Sequence, residues 1–430
     1  MTDESIVGRG TREGSRLFRG WFDELTAAAD RGDRAAYVFV MGSLNEVLRC
    51  FDMHVTFPEI NSLQLAVRRV AHEYLCEAED QGYSPDICGY VKADVATQLR
   101  CGKHPMGRIP KPSIAVLTNA CNTYVKWAEI WERMHGIPVF TIDVPGHRQL
   151  GVHTKPGQGQ FESDRRYVET QIRELITLCE QISGKKFDID RLRENMAHAN
   201  TMSRCWKRIL ELNSNTPSVF NALTDGTIYL GVANGLRGTP EGAQYFEQLV
   251  EEMEYKAANN IGTTVDEQHR LSFVGVPCYP IFRRFNELFT DWGGTFVSST
   301  YLWFASGGTN CGYEYDLTDP IASLSEGFLL SVRDAMDSMF DQTSMVRDSI
   351  ERFDIDGVVY HPIKSCRTVS TGLADSRRSL MEQTGVSSLF IESDMMDRRV
   401  VSEAQLKNRV DAFFEGLISR KQQHAAAGGH

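Results

Sequence analysis

Apolar positions in the first hundred residues recur mostly at helical spacing. Leu17 to Asp30 is amphipathic and ends at an Arg31-Gly32-Asp33 turn, whereas Ala35 to Met41 is an apolar run short enough for a strand. Ser43-Leu44-Asn45-Glu46 predicts a helix start, with Ser43 as cap and an acidic first turn. Pro58 and Asn61 precede a helical stretch from Ser62 to Asp80, closed by Gly82. Ser84-Pro85-Asp86 then predicts the start of a helix that carries Cys88.

From Pro112 the texture changes. Ile114 to Thr118 reads as a buried strand, Asn122 to His135 as a helix and Ile137 to Asp143 as the next strand, ended by Pro145-Gly146. Strand, helix and strand in so short a span make a βαβ unit, which requires a parallel sheet with a right-handed crossover. Arg165 to His269 is again helical, with an end at Gly184 and a new start at Asp188. A second α/β region begins at Leu271–Gly275. It runs through a helix at Phe282–Asp291, a strand at Thr295–Ser299, a helix near Ser323–Met339 and strands at Gly357–His361 and Leu389–Ile391, to a closing helix at Glu403–Ser419. The pattern predicts two Rossmann-like parallel-sheet α/β domains. Residues 1–110 form a mostly helical N-terminal region, 111–270 a first α/β domain with a helical extension, 271–420 a second, and 421–430 a disordered tail.

Composition narrows the function class. The 430 residues are 42% hydrophobic and 24% charged, enough for two or three domains with substantial cores. A net charge of −11 argues against a sequence-independent grip on nucleic acid or anionic membrane. No run approaches the roughly 18 apolar residues of a membrane span, and Met1 to Arg19 lacks the apolar core of a signal peptide. A soluble, cytoplasmic protein is expected, with reduced thiols, so the ten cysteines point to packing, metal ligation or catalysis rather than a disulfide framework.

Cys121 and Cys366 each follow a predicted strand and precede a helix, and Cys88 lies in Asp86-Ile87-Cys88-Gly89-Tyr90 at a helix start. Open α/β sheets bind ligands beyond the carboxyl ends of their strands, and helix N-termini favour thiolate. Three thiolates from three distant segments have the chemistry to hold an iron–sulfur cube with one iron left open. None of the pairs has CxxC spacing, so three small buried hydrophobes remain the alternative. Gly307-Gly308-Thr309-Asn310-Cys311-Gly312 lacks the lysine of a phosphate loop, and neither a dinucleotide fingerprint, a nucleophile elbow nor a zinc helix occurs. Tyr124, Trp127 and Trp131 lie at helical spacing and read as core. The runs Arg68-Arg69, Arg283-Arg284 and Arg398-Arg399 read as solvated faces, although a coenzyme A phosphate would need such groups.

Several segments, taken in order, carry a family signature. Leu44–Met53, Pro58–Gln64, Asp86–Asp94, Asn119-Ala-Cys-Asn122 and Lys126-Trp127 resemble the benzoyl-CoA reductase and 2-hydroxyacyl-CoA dehydratase family. So do Phe187–Arg193, Ile363-Lys-Ser-Cys366 and Ile391-Glu-Ser-Asp394, and the likeness runs from about residue 35 to residue 415. It implies a catalytic subunit that pairs with a homologous second catalytic subunit as a heterodimer and acts on an acyl-CoA substrate. A [4Fe–4S] cluster would sit on Cys88, Cys121 and Cys366, and a separate ATP-dependent iron–sulfur activator protein would inject electrons, in keeping with the missing phosphate loop. The family chemistry is one-electron reduction of the thioester to a ketyl-type radical. It ends in ring reduction or in loss of a β-proton and the α-hydroxyl.

Such chemistry needs an acid or base near the cluster. Ser43, Glu46 and His361 are the candidates, although a cap, a solvated carboxylate and a satisfied core histidine are the bland alternatives. Leu44–Met53, Pro58–Gln64, Phe187–Arg193 and Ile363–Cys366 look closest to a benzoyl-CoA reductase catalytic subunit, while Glu267–Pro280 and Asn119–Asn122 look more like a dehydratase. Asp397-Arg398-Arg399 departs from the family's frequent Asp-Pro-Arg. Cys278 and Cys311 are further thiols, as in double-cubane relatives, and a non-catalytic cluster protein is a third possibility.

Overall fold

The computed structural model describes residues 6–146, 154–304, 312–340 and 343–427. The strands are β1 (Ala35–Tyr37), β2 (His54–Thr56), β3 (Lys103–His104), β4 (Gly107–Arg108), β5 (Pro112–Thr118), β6 (Val139–Ile142), β7 (His269–Gly275), β8 (Gly294–Ser299), β9 (Gly357–His361) and β10 (Ser387–Phe390). They form two four-stranded parallel sheets, ordered β2-β1-β5-β6 and β10-β9-β7-β8, while β3 and β4 make a small antiparallel pair. Numbered within its own sheet, each has the order 2-1-3-4. In that topology the crossovers from the first and third strands leave in opposite directions and open a crevice between them. The crevices therefore lie beyond the carboxyl ends of β1 and β5 in one unit, and of β7 and β9 in the other.

Strands covered on both faces must be apolar throughout, and β5, β7, β8 and β9 are buried along nearly their whole length. The charged exception in β7 is Arg270, beside the polar His269 and Ser272. Its guanidinium meets Glu267 at 2.6 Å and the carbonyls of Asn213, Asn215 and Phe353, so the buried charge is fully bonded. Between the units lie the helices Gly159–Ser183, Ile189–Leu212, Thr224–Gly235 and Pro240–Ala258. Among the described residues, no helix is long and apolar enough to cross a membrane.

Several expectations shift. Residues 1–110 are not a helical region apart, because β1 and β2 pair into the sheet of β5 and the Arg9–Arg31 helix packs against the middle helices. Small residues permit that approach: a Cβ on Gly14 would stand 2.6 Å from the Tyr245 hydroxyl, and one on Gly231 2.7 Å from Phe18. The stretch 62–80 is two helices, Pro58–Val67 and Ala71–Asp80, broken where Arg69 takes a left-handed conformation (φ 63°). The strand expected over Ala35–Met41 ends at Tyr37, since Val40 turns its N–H to a side chain, Glu59. Ser43 does not cap a helix; left-handed Leu44 precedes the short helix Asn45–Leu48. Helix replaces the disordered tail as far as Ala427, because lysine, glutamine and alanine favour helix without needing a core.

One buried carboxylate fixes two of these helices. Asp94, on the Gly89–Leu99 helix, accepts the indole N–H groups of Trp127 (2.7 Å) and Trp131 (2.6 Å) on the Asn122–His135 helix. Both indoles are buried, as expected of core aromatics, and Gln98 donates to the other Asp94 oxygen at 2.9 Å. Asp94→Ala would leave two buried indole donors unpaired, each worth about 1–3 kcal/mol. The expected result is a fall in thermal midpoint with a changed near-ultraviolet tryptophan signal. An unchanged midpoint would show that the clamp is not stabilising.

Candidate active site

Cys88, Cys121 and Cys366 each occupy the position immediately before a helix: Gly89–Leu99, Asn122–His135 and Arg367–Ser370. Cys121 follows β5 and Cys366 follows β9, the third strand of each sheet and one side of each crevice. Cys88 was expected within a helix that starts at Ser84; the helix begins one residue after it. All three are half-buried free thiols.

The structure brings them together. Cys366 and Cys121 both bear electrostatically on Cys88, and Cys121 bears on Cys366. The Cys121 sulfur lies 3.5 Å from the Thr368 hydroxyl, and Thr368 also meets Asn122, so the two units touch at the triad. A Cβ on Gly89 would sit 2.6 Å from the Met396 Cβ, which makes glycine beside Cys88 a condition of the same contact. Asp394 sets the third approach: it accepts the N–H of Ser365 (2.9 Å) with one oxygen and those of Met396 and Asp397 with the other.

Burial pushes the Cys88 thiol well above its ordinary value, with Cys366 and Cys121 adding to the rise. Burial likewise raises Cys366 to about 12, opposed by the Val369 N–H and reinforced by Cys121. Three thiolates at such close quarters need a cationic partner to ionise together. Among the described residues, no three His, Cys, Asp or Glu side chains close around a single metal ion. An all-sulfur set from three separate segments fits a multi-iron cluster, whose irons are spread over a cube, rather than one ion.

Beside the triad lies a residue the sequence pattern does not single out. Glu59, 8% exposed, accepts the Val40 N–H (2.8 Å) on one carboxylate oxygen and the Tyr124 phenol (2.9 Å) on the other. Burial raises its pKa to about 7 against the lowering effect of those two bonds. Tyr90, Tyr124, Tyr301 and Cys366 all feel its charge. Tyr279 faces Tyr301, Tyr90 and Thr227, so three phenols cluster there. Glu59 directly follows Pro58 in a first helical turn, where an acid normally reads as solvated. The only contrary signal is the apolar Phe57 and Ile60 around that Pro-Glu pair.

The other expected residues have different surroundings. Ser43 is fully buried in the Gly42–Leu44 turn, where a Cβ on Gly42 (φ 93°) would meet Thr118 on β5 at 2.6 Å. Glu46 is not solvated; it pairs with buried Arg237 at 2.7 Å and Tyr315 stands 3.4 Å from the same oxygen. His361 is fully buried with both nitrogens engaged, Nδ1 donating to the Val276 carbonyl and Nε2 facing Ser393 Oγ, each at 2.6 Å. Burial lowers its pKa to about 4, which keeps the ring neutral. Cys278 is fully buried against Ser393, and burial raises its thiol to about 11. Cys311 lies outside the described residues.

Two matched parallel units with thiols at both crevices define a two-lobed α/β protein. Residues 42–417 match the 2-hydroxyglutaryl-CoA dehydratase, D-component family, and the chain belongs to it. It is 30% identical over 421 residues to a benzoyl-CoA reductase subunit of Thauera aromatica, covering 95% of this chain and 94% of that one. It is 25% identical to the (R)-phenyllactyl-CoA dehydratase alpha subunit of Clostridium sporogenes, with 92% of each chain covered. The (R)-2-hydroxyisocaproyl-CoA dehydratase alpha subunit of Clostridioides difficile is 27% identical, with 88% of each covered. All three relatives are named as enzyme subunits, and each match spans nearly the whole chain.

Glu59 makes stability depend on pH. The folded protein keeps its proton to about pH 7, whereas the unfolded chain releases it near 4.5. The stabilising share is therefore complete below the lower value and is lost as pH rises through the upper one. Relative to Glu59→Gln, the wild type is expected to lose on the order of 2–3 kcal/mol across that window, read from thermal or urea unfolding at several pH values. A difference that stays constant with pH would show an ordinary carboxylate.

Proposed function

We propose that the chain is the iron–sulfur catalytic subunit of an enzyme that reduces an aromatic acyl-CoA by low-potential single-electron transfer. The convergence of Cys88, Cys121 and Cys366 at the crevices of both sheets carries this reading, in a chain 30% identical to a benzoyl-CoA reductase subunit. In it the three thiolates hold a [4Fe–4S] cluster, which supplies single electrons and one iron open to a ligand. The buried rings of Tyr90 and Tyr124 lie beside Glu59 and keep water from its carboxyl. Glu59 holds a proton on a carboxyl oxygen at neutral pH and delivers it as negative charge builds on the substrate. Asp394 orients the Cys366 loop, and Asp94 aligns the helices behind Cys88 and Cys121. ATP hydrolysis belongs to a separate iron–sulfur activator, since no phosphate loop occurs in the sequence, and a homologous second subunit completes the enzyme.

The second reading is a 2-hydroxyacyl-CoA dehydratase subunit that eliminates water through a ketyl radical. The full-length likeness to dehydratase alpha subunits favours it. There Glu59 must act ionised, as a base. The pH profile separates the two: under the reductase reading, activity falls as pH rises through about 7, and under the dehydratase reading it rises.

Anaerobically purified protein is expected to contain about four irons per chain and to bleach in air. Cys88→Ser, Cys121→Ser and Cys366→Ser should each remove most of the iron. Cys179→Ser, in the buried face of the Gly159–Ser183 helix, and Cys205→Ser should leave it nearly unchanged. Equal loss from Cys179→Ser would overturn the ligand set. With activator and ATP, Glu59→Gln should lower turnover of benzoyl-CoA about 100-fold and remove the inflection near pH 7. Iron-replete protein that turns over neither benzoyl-CoA nor a 2-hydroxyacyl-CoA would leave only the non-catalytic role.

A further inference from the structure

A ladder of charged side chains joins the Cys88 loop to the Cys366 loop by a route that bypasses the thiols. Lys92 lies one turn past Cys88 on the Gly89–Leu99 helix and is only 1% exposed. Its amine reaches back over that turn, as long helical side chains do, and donates to the Pro85 carbonyl at 2.8 Å, three residues before Cys88. The same amine pairs with Glu79, on the Ala71–Asp80 helix, at 2.9 Å. Glu79 meets Arg399 of the second unit at 2.6 Å, and Arg399 meets Asp397 at 2.8 Å. The Asp397 N–H donates to one oxygen of Asp394, whose other oxygen accepts the N–H of Ser365, the residue before Cys366.

A buried ion pair gains little over a well-packed apolar side chain, because desolvation offsets most of the attraction. What remains is a fixed field, and at a buried site salt screens it weakly. Arg399, with Lys92 behind it, holds the Glu79 carboxyl down to about 2 against its partial burial, so Glu79 stays charged at any working pH. The geometry points to Lys92, Glu79, Arg399 and Asp397 as positioning residues that fix the Cys88 and Cys366 loops and set the reduction potential of a cluster held there. This rests on the iron–sulfur reading above. Adding an electron to a cluster is favoured by a nearby cation and opposed by a nearby carboxylate. A unit charge one helical turn from a ligand, with little water between, shifts the reduction equilibrium roughly tenfold, about 59 mV for one electron.

The test is an anaerobic redox titration of the iron-loaded full chain, followed by electron paramagnetic resonance, with iron content measured beside it. Lys92→Met removes a cation and should lower the potential by about that step. Glu79→Gln removes a carboxylate at nearly constant shape and should raise it. The double variant should fall between the two single ones, with iron content close to wild type in all three. If Lys92→Met fails to hold iron, Arg399→Gln takes its place: it removes the cation at the more exposed end and should also lower the potential. A brace without a field would loosen and wet the site alike in every variant. Potentials that all move the same way, or do not move, therefore overturn this proposal and leave the cluster reading standing. Wild-type protein that takes up no iron overturns both.

Discussion

Two indole N–H groups on one aspartate do more to shape the site than any contact at the thiols themselves. Asp94 sits on the helix behind Cys88, and Trp127 and Trp131 sit on the helix behind Cys121. A buried carboxylate is costly unless its lone pairs are used, and burial indeed raises the pKa of Asp94 despite three side-chain donors. The arrangement is therefore intolerant of slippage: either helix rotating away would strand a charge or a donor in the core. Directional bonds set the angle between the helices, while the aromatic stack of Phe39, Tyr124 and Trp131 fills the space around them. Rigid helices then present their first residues at defined places, as a site built from three distant segments requires.

Much of this was legible locally. An apolar run followed by a cysteine and a helical pattern is a short-range signal, and β5–Cys121 and β9–Cys366 stand where it predicts. The parallel sheets follow from the same strand–helix alternation. That each sheet has the same internal strand order was hinted at only by the repeated strand–cysteine arrangement, because the two halves share topology without a visible sequence repeat.

What was hidden depends on distant partners. No pattern within residues 1–110 reveals that β1 must lie beside β5, since register across a parallel pair is set by the finished sheet. Ser43 and Glu46 look like cap and first-turn acid, but Arg237, almost two hundred residues away, claims the glutamate. His361 likewise closes a strand, β9, yet Val276 and Ser393 occupy both its nitrogens. Glu59 is the reverse case: an acid in an ordinary helix start becomes a buried proton holder only because Val40 and Tyr124 fold over it. Arg398-Arg399 reads as a solvated face because the Glu79 that holds Arg399 lies on the other unit.

The split of the triad between lobes has a mechanical side. Cys88 and Cys121 ride on the first unit and Cys366 on the second, so a group bound to all three under the proposed reading is also a rivet joining the lobes. Without it, the seam beside the triad keeps Met396 against Gly89, Thr368 against Cys121, the Glu79–Arg399 pair, whose strength in water is modest, and the apolar contact of the Pro58–Val67 helix with Tyr279–Ile281. Oxidative loss of iron would then do more than remove an electron carrier. It would remove one tie between the lobes, making the same event visible as faster amide exchange along the Arg367–Ser370 and Gly89–Leu99 helices.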